Sequence, residues 1–252
     1  MTVGAGPVLI AHRGDPSRAP ENTLAAVRAA LEAEPDFIEI DVHLSADGHV
    51  VVIHDAGLER TTSGAGEVSH LTLQELRRLD AGGWYGVEFA GEPIPTLPEL
   101  WEAVGDRSRL LVELKGVGTG SVVGRCARTL ATSVPAFISF RAGELRALKQ
   151  SFPEAEPVLI RSEPLEDSAR AASLLSAVKE TGCIGVSVFA PACSAEAIES
   201  MHRAGLAVWV WTVNDPHEWE SFLRAGVEGI TTDTPLSLHR FLVERGLRRA
   251  RR

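Results

Sequence analysis

Two acidic residues share one face of an apolar segment that has the alternation of a β-strand, residues 37–42. Glu39 and Asp41 point to one side of such a strand, and three aliphatic residues point to the other: Ile38, Ile40 and Val42. If helices cover the aliphatic face, both carboxylates face the interior roughly 6 to 7 Å apart. Two ionised carboxylates in a low-dielectric interior repel each other strongly unless a cation or a shared proton compensates. We therefore predict a bound metal ion.

A second apolar segment, residues 110–114, repeats this alternation. Glu113 and Lys115 fall on its inward face or at its end, whereas its outward positions are aliphatic. Three carboxylates on two strands suit one divalent cation that prefers oxygen ligands, Mg²⁺ or Ca²⁺ and also Mn²⁺. The predicted ligands are Glu39, Asp41 and Glu113. An alternative is a purely structural ion network of these acids with Lys115, but such networks rarely place three acids against one lysine.

Two histidines follow apolar runs in the same part of the sequence. His12 comes directly after residues 8–11, and His54 after residues 50–53. Histidine exchanges protons near neutral pH, so a pair can activate a nucleophile and protonate a leaving group. Arg13 and Lys115 add the fixed positive charge that a phosphate needs. Together with a metal ion, these residues predict hydrolysis of a phosphodiester.

The elements that must position these residues alternate between strands and helices. Eight strand-like runs are present: Val8–Ala11, Phe37–Val42, Leu110–Leu114, Phe137–Phe140, Pro157–Ile160, Cys183–Val188, Ala207–Val213 and Gly229–Thr232. Amphipathic segments with helical spacing lie between several of them, as in residues 23–31, 145–152 and 195–204. This alternation predicts an α/β fold, a (β/α)8 TIM barrel with its site at the carboxyl ends of the strands. The main rival is a doubly wound open sheet, but no glycine-rich dinucleotide motif follows the first run.

Residues 50–53 interrupt the alternation, because they form a ninth strand-like run. The preceding Asp47-Gly48 is typical of a hairpin turn. We expect this run to return antiparallel to the second strand, outside the barrel, with Asp41 facing His54 to within about one residue.

A long segment at about residues 56–95 also departs from the usual short βα loop. The pattern Thr72-x-x-Glu75 is a capping box, and the same pattern recurs at Thr96-x-x-Glu99. A short helix is expected to follow Thr72 and to end near residues 81–83. We interpret the segment as a small insertion beside the site, within a single domain that spans residues 1–252.

The charge of the 252-residue chain restricts its partners. There are 25 Lys and Arg against 34 Asp and Glu, a formal net charge of −9, which disfavours nucleic acid and anionic membranes. No apolar run approaches the ~18 residues of a membrane span, and the start has no export signal. Three cysteines without metal-type spacing predict neither a disulfide framework nor a zinc site. We expect a cytoplasmic protein without stable membrane insertion, and its oligomeric state is left open.

Several short blocks of the sequence resemble the glycerophosphodiester phosphodiesterase family. In chain order they are His12-Arg13-Gly14, Pro20-Glu21-Asn22-Thr23, Glu39-Ile40-Asp41-Val42, Asp47-Gly48, His54-Asp55, Glu113-Leu114-Lys115, Ser139-Phe140, Trp211-Thr212-Val213-Asn214 and Gly229-Ile230-Thr231-Thr232-Asp233. The resemblance spans about residues 8–238, and chance hardly supplies all the blocks in one order. The sequence around Arg60-Thr61-Thr62 also resembles the small inserted subdomain of that family.

This resemblance implies a barrel of the phosphatidylinositol phospholipase C type that hydrolyses glycerophosphodiesters to sn-glycerol 3-phosphate and an alcohol. The roles that it implies are an acid/base pair, His12 and His54; divalent-cation ligands, Glu39, Asp41 and Glu113; phosphate contacts, Arg13 and Lys115; and apolar walls beside the glycerol, Trp211 and to a lesser degree Phe140. Asn214 and Asp233 match the family blocks without an assigned role. A departure from the family pattern is the glycine-rich segment 116–120, which reads as an unusually flexible loop.

Three other functions remain open on the sequence. A lysophospholipase D-type activity would use an apolar surface near the insertion, for which Trp84, Tyr85 and Phe89 are candidates. A metal-dependent isomerase would use Lys115 as its base, which leaves the His12-Arg13 pair without a phosphate to hold. A non-catalytic binder of glycerol phosphates would not need the acid/base residues.

Overall fold

The computed structural model describes residues 6–130, 135–164 and 168–249. The strands are β1 (Val8–Ala11), β2 (Phe37–Leu44), β3 (Val50–Val52), β4 (Arg109–Leu114), β5 (Ala136–Ser139), β6 (Pro157–Arg161), β7 (Gly185–Phe189), β8 (Ala207–Trp211) and β9 (Gly229–Thr232). The α-helices are α1 (Leu24–Ala30), α2 (Leu73–Leu76), α3 (Leu97–Val104), α4 (Thr119–Leu130), α5 (Ala142–Ser151), α6 (Ser168–Thr181), α7 (Ala195–Arg203), α8 (Pro216–Ala225) and α9 (Pro235–Glu244).

Eight parallel strands close into a barrel. Their order is β1-β9-β8-β7-β6-β5-β4-β2, and β1 pairs with both β9 and β2. Ile10 of β1 lies opposite Thr231 on one side and Phe37 on the other. The predicted TIM barrel is therefore confirmed, with β3 as an extra strand outside the ring.

The barrel strands are buried on both faces, as expected for a parallel sheet covered by helices. The outward aliphatic residues of β2 and β4 belong to one large cluster with apolar residues of α1, α3 and α4. A second cluster fills the barrel interior and includes Phe37, Leu111 and Trp209. Since side chains alternate along a strand, Glu39 and Glu113 lie on the same inward face as Phe37 and Leu111, nearer the carboxyl end.

The hairpin between β2 and β3 forms as expected, and its register lies within the one-residue margin of the prediction. Val42 pairs with Val52, and the backbone N–H of Ile53 donates to the carbonyl of Asp41 at 3.0 Å, so Asp41 faces Ile53 rather than His54. The cause is the loop, where Ser45 N–H donates to the carbonyl of His49 and three residues lie between them. Gly48, at φ +82°, supplies the left-handed conformation that such a loop requires.

Residues 56–95 fold over β3 around a small apolar cluster. This cluster consists of Val51, Ile53, Leu58, Val68, Leu76, Ala81 and Ile94. Thr72 and Glu75 form the capping box of α2, since Thr72 N–H donates to Glu75 Oε2 at 2.8 Å. However, α2 ends at Leu76, earlier than the glycines at residues 82 and 83, because a tight turn follows in which Leu79 N–H donates to the Leu76 carbonyl.

Within the three described ranges, none of the helices combines the length and the apolar character needed to cross a bilayer.

Candidate active site

A cavity opens at the carboxyl ends of the barrel strands. It encloses about 540 Å³ including its open mouth. Its lining consists of His12, Arg13, Glu39, His54, Glu113, Lys115, Ile138, Phe140, Ile160, Ser187, Trp211 and Thr231. Eight of the nine site residues predicted from the sequence line this cavity, and the ninth, Asp41, lies within 4.8 Å of Glu39 and Glu113 through its carboxylate.

The turn after β1 brings Arg13 to the carboxylates. Arg13 has a φ of 54°, an unusual left-handed conformation for a non-glycine residue, and its backbone N–H donates to Glu39 Oε2 at 3.0 Å. Gly14 follows at φ +90°, and a Cβ atom on it would lie 2.6 Å from the carbonyl carbon of Ala26 in α1. Only glycine fits between the turn and α1, so Gly14 fixes the position of His12 and Arg13.

Three buried carboxylates form a compact group at the base of the cavity. Glu39, Asp41 and Glu113 each offer an oxygen within 4.8 Å of the others, and their exposed fractions are 2, 1 and 8%. Burial, and then the charges of Asp41 and Glu113, raise the pKa of Glu39 well above its usual value. Burial and the charge of Asp41 likewise raise the pKa of Glu113, to about 7. Without a bound cation, burial and mutual repulsion therefore favour the protonated forms of Glu39 and Glu113 more than in water.

Asp41 is the carboxylate of this group that the protein itself keeps ionised. Burial opposes its charge, but the fixed charges of Arg13 and Lys115 outweigh burial and lower the pKa of Asp41. Asn22 holds it from both sides: its Nδ2 donates to Asp41 Oδ2 at 2.8 Å, and its Oδ1 accepts from the Asp41 backbone N–H at 3.1 Å. Asn22 is at φ 60°, a conformation that asparagine tolerates better than most residues.

The donor set fits a hard divalent cation. Glu39 Oε1 is buried and has no hydrogen-bond partner among the described residues, which is the state of an oxygen that a metal ion would complete. Lys115 Nζ lies 3.1 Å from Glu113 Oε1 and 3.5 Å from Asp41 Oδ1. Arg13 Nε lies 3.3 Å from Asp41 Oδ2. Within the described part of the chain, these ion pairs join the two cations to Asp41 and Glu113, and Glu39 takes part in none of them.

His54 is oriented by the residue that follows it. Its Nδ1 lies 2.5 Å from Asp55 Oδ1, and its Nε2 lies 2.9 Å from Lys115 Nζ. Since the ammonium group can only donate, these partners assign the proton to Nδ1 and the free electron pair to Nε2. Burial lowers the pKa of His54, which favours this neutral form. His43 of β2 contacts the carbonyl of His54 through Nε2 at 3.0 Å.

His12 has a matching carboxylate from the last barrel strand. Its Nδ1 lies 2.6 Å from Asp233 Oδ1, so Nε2 is the ring nitrogen available to a ligand. Asn214 Nδ2 donates to Asp233 Oδ2 at 2.7 Å, and Asn214 Oδ1 accepts from the Asp233 backbone N–H at 2.8 Å. Neither Asp233 nor Asn214 had a role predicted from the sequence. The position of Asp233 could have indicated its contact with His12, because Asp233 directly follows β9, the strand that pairs with β1.

The opposite wall of the cavity is apolar. Trp211 packs against Phe140 with ring centroids 5.6 Å apart and against Phe189 at 5.2 Å. Trp211 also donates from Nε1 to the Ser187 carbonyl at 3.3 Å. Trp209 shares a strand face with Trp211 but is buried deeper in the barrel, where it contacts Phe37. Phe189 was not among the predicted residues, since it closes a strand predicted to end one residue earlier.

The glycine-rich segment after Lys115 is more regular than an open loop. Helix α4 already begins at Thr119. Glu144 accepts hydrogen bonds from the backbone N–H groups of Gly118 and Gly120, at 2.9 and 2.8 Å. A Cβ atom on Gly120 would lie 2.1 Å from the carbonyl oxygen of Glu144, so close packing, rather than flexibility, explains this glycine.

Known proteins have a similar sequence and a similar fold. The chain is 37% identical over 238 residues to a glycerophosphodiester phosphodiesterase of Caldanaerobacter subterraneus, covering 92% of this chain and 96% of that one. A phosphodiesterase of Oleispira antarctica in complex with the product sn-glycerol-3-phosphate is 30% identical, with a TM-score of 0.85 over 94% of this chain and 97% of that one. A glycerophosphodiester phosphodiesterase of Agrobacterium tumefaciens is 31% identical, with a TM-score of 0.79 over 93% and 99%.

These similarities define the protein as a phosphoric diester hydrolase built on a TIM barrel. More specifically, the chain belongs to the glycerophosphoryl diester phosphodiesterase family, whose sequence model matches residues 12–237. The resemblance expected from the short sequence blocks is thereby confirmed.

Proposed function

We propose that the protein hydrolyses glycerophosphodiesters to sn-glycerol 3-phosphate and an alcohol, with a divalent cation and two histidines. The observation that carries this proposal is the convergence, in one cavity, of two histidines that each contact a carboxylate through Nδ1. The similarity to the Oleispira antarctica phosphodiesterase, whose product complex contains sn-glycerol-3-phosphate, supports the choice of substrate.

Glu39, Asp41 and Glu113 are the residues that would hold the cation, Mg²⁺ or Ca²⁺. When bound, such a cation would polarise a phosphate oxygen and lower the pKa of the nucleophilic hydroxyl or water. Two observations support this assignment: Glu39 Oε1 has no hydrogen-bond partner among the described residues, and the pKa values of Glu39 and Glu113 are raised. A bound cation would give this oxygen a partner and would favour the ionised form of both carboxyl groups.

Arg13 and Lys115 would bind the phosphate. Both line the cavity, and both are held by acidic partners, so their side chains are oriented before substrate arrives. Burial opposes the charge of Lys115, but Asp41 and Glu113 outweigh it and raise the pKa of this ammonium group. Lys115 is therefore a fixed cation rather than a general base, which argues against the isomerase. Trp211 and Phe140 would form the apolar side of the glycerol site.

The two histidines would move the protons. One accepts the proton of the nucleophile, and the other protonates the departing alkoxide. Because each Nδ1 is engaged by Asp55 or Asp233, each histidine would act through Nε2, and its carboxylate would stabilise the imidazolium form. The nucleophile is either water or the neighbouring glycerol hydroxyl, which would give a cyclic phosphate first.

The test is the hydrolysis of glycerophosphocholine, followed by ³¹P NMR, for three histidine variants. We expect His12→Ala and His54→Ala each to lose at least ~100-fold of kcat, the usual size of one acid/base contribution. His202→Ala is the matched control, since His202 pairs with Glu228 on the far surface. Near wild-type activity of either site variant would show that the mechanism is wrong.

A lysolipid is the second candidate substrate. The observation that favours it is exposed apolar surface beside the cavity, where Phe140 of the lining and Phe189, which packs on Trp211, are 40 and 36% exposed. The three aromatic residues of the insertion pack edge-to-face on one another, and Trp84 Nε1 donates to the Ala81 carbonyl, so they form a local cluster of their own. Faster hydrolysis of lysophosphatidylcholine than of glycerophosphocholine at equal concentration would favour this candidate.

A further inference from the structure

One arginine of the inserted segment bridges two carboxylates at the edge of the site. Arg60 donates from Nε to Asp55 Oδ2 at 2.5 Å. It also donates from Nη1 and Nη2 to the two oxygens of Glu21, at 2.9 and 2.8 Å. All three nitrogens of the guanidinium group are thus engaged, in the planar geometry that makes arginine–carboxylate pairs directional.

Each of these carboxylates also contacts a residue of the proposed machinery. Asp55 accepts from His54 Nδ1 through its other oxygen, Oδ1. Glu21 Oε1 also accepts from Arg13 Nη1 at 2.8 Å. The result is a continuous chain of charge-assisted hydrogen bonds that begins at His54, passes through Arg60 and ends at Arg13.

Arg60 stands on a firmly held turn of the insertion. Leu58 is fully buried in the cluster that packs on β3. Thr62 Oγ1 donates to the carbonyl of Leu58 at 2.6 Å and accepts from the backbone N–H of Gly64 at 3.0 Å. The side chain of Arg60 therefore extends from a backbone that is fixed on both sides of it.

The charges favour the same arrangement. The hydrogen bond from Arg60 is the largest influence on Asp55 and lowers its pKa to about 2, so Asp55 remains an acceptor for His54. Burial opposes the charge of Glu21, but Arg60 and Arg13 outweigh it and lower the pKa of Glu21 as well. Without Arg60, Glu21 and Asp55 would keep single partners, and each would be free to adopt other rotamers.

We propose that Arg60 is a positioning residue through which the inserted segment orients both His54 and Arg13 for phosphodiester hydrolysis. The inference rests on the proposed function, because it assigns Arg60 to the same site. Residues that orient catalytic groups typically change activity by about 10- to 100-fold when they are removed. Arg60 acts through Asp55 on proton transfer and through Glu21 on phosphate binding, so we expect kcat to fall and KM to rise together.

The experiment compares Arg60→Gln and Arg60→Lys with the matched control Arg77→Gln. Arg77 also lies in the insertion and ties it to Glu99 of α3 and to the Ile94 carbonyl, but it contacts none of the site residues named above. We expect Arg60→Gln to lose about 10- to 100-fold of kcat/KM. The kcat/KM of Arg60→Lys should lie between those of Arg60→Gln and the wild type, because lysine provides a point charge without the forked donor geometry of the guanidinium group. Arg77→Gln should lower the thermal midpoint but keep kcat/KM within about twofold.

Coupling to Asp55 separates positioning from a general structural effect. If Arg60 acts through Asp55, the double variant Asp55→Asn/Arg60→Gln loses less kcat/KM than the product of the losses in the two single variants. The losses in Asp55→Asn/Arg77→Gln should multiply. The proposal is overturned if the losses of kcat/KM multiply in Asp55→Asn/Arg60→Gln. It is also overturned if Arg60→Gln and Arg77→Gln lose kcat/KM equally. If Arg60→Gln does not fold, a folded Arg60→Lys with full activity overturns it.

A readout without turnover distinguishes failure of this proposal from failure of the proposed function. The Nδ1 proton of His54, held against Asp55, should give a downfield resonance in the NMR spectrum of the wild type. We expect this resonance to shift or broaden in Arg60→Gln and to persist in Arg77→Gln. A wild type that hydrolyses no glycerophosphodiester contradicts the proposed function alone, whereas an unchanged resonance in Arg60→Gln contradicts the positioning role.

Discussion

Removing the charge of one buried acid should stabilise the metal-free protein while it abolishes activity. The perturbation is Glu113→Gln, which keeps the shape of the side chain and loses its repulsion of Asp41. Because burial and Asp41 raise the pKa of Glu113 from 4.5 to about 7, its ionisation in the folded protein costs about 3 kcal/mol relative to the unfolded chain. For a chain of this length, that corresponds to a thermal midpoint roughly 6 to 12 °C higher.

The sign of this effect depends on pH. A raised folded-state pKa means that the stabilising proton is fully present below about pH 4.5 and is lost as the pH rises through about 7. The wild type and Glu113→Gln should therefore be similarly stable near pH 4.5 and should diverge by about 3 kcal/mol above pH 7.

The assay is urea denaturation of both proteins in EDTA at half-unit steps from pH 4.5 to 8. Adding Mg²⁺ or Ca²⁺ should then stabilise the wild type more than Glu113→Gln, because only the wild type retains all three carboxylates. Parallel stability curves for the two proteins over this range would refute the electrostatic reasoning. Equal stabilisation of both by the cation would refute Glu113 as a ligand.

Three further predictions concern neighbouring residues. Asp233→Asn should lower kcat by about 10- to 100-fold in steady-state assays, because it weakens the hold on His12 Nδ1, and unchanged kcat would argue against this role. With a p-nitrophenyl phosphodiester as substrate, the leaving group needs no protonation, so only one of the two variants His12→Ala and His54→Ala should regain activity. Recovery of activity in both variants, or in neither, would contradict separate acid and base roles. Gly14→Ala should destabilise the protein by at least about 2 kcal/mol in urea denaturation, because of its φ of +90° and the 2.6 Å approach to Ala26; wild-type stability would contradict this.

The alternation of eight strand-like runs with helical segments was enough to predict the barrel, and the alternation of side chains within β2 predicted the inward direction of its two carboxylates. Once Ile38, Ile40 and Val42 are assigned to the helix-covered face, Glu39 and Asp41 must point inward, and the structure has them there. A period-2 pattern is robust because both faces of a parallel strand are buried by different layers.

Details that depend on loop geometry could not be predicted in the same way. The hairpin register could be predicted only to within one residue, because Asp47-Gly48 alone does not distinguish the observed three-residue loop from a two-residue turn. The contacts of His12 with Asp233 and of Asp55 with Arg60 join residues that are distant in sequence or lie in irregular segments. Periodicity carries no information about such contacts.

The identity of the products is the most direct test of the proposed reaction. Purified wild-type protein, incubated with glycerophosphocholine and Mg²⁺ or Ca²⁺, should release choline and sn-glycerol 3-phosphate, detected by ³¹P NMR and by a glycerol 3-phosphate dehydrogenase assay. EDTA should stop the release, and the added cation should restore it. Release of phosphocholine and glycerol, or no phosphate monoester at all with either cation, would contradict the proposed function.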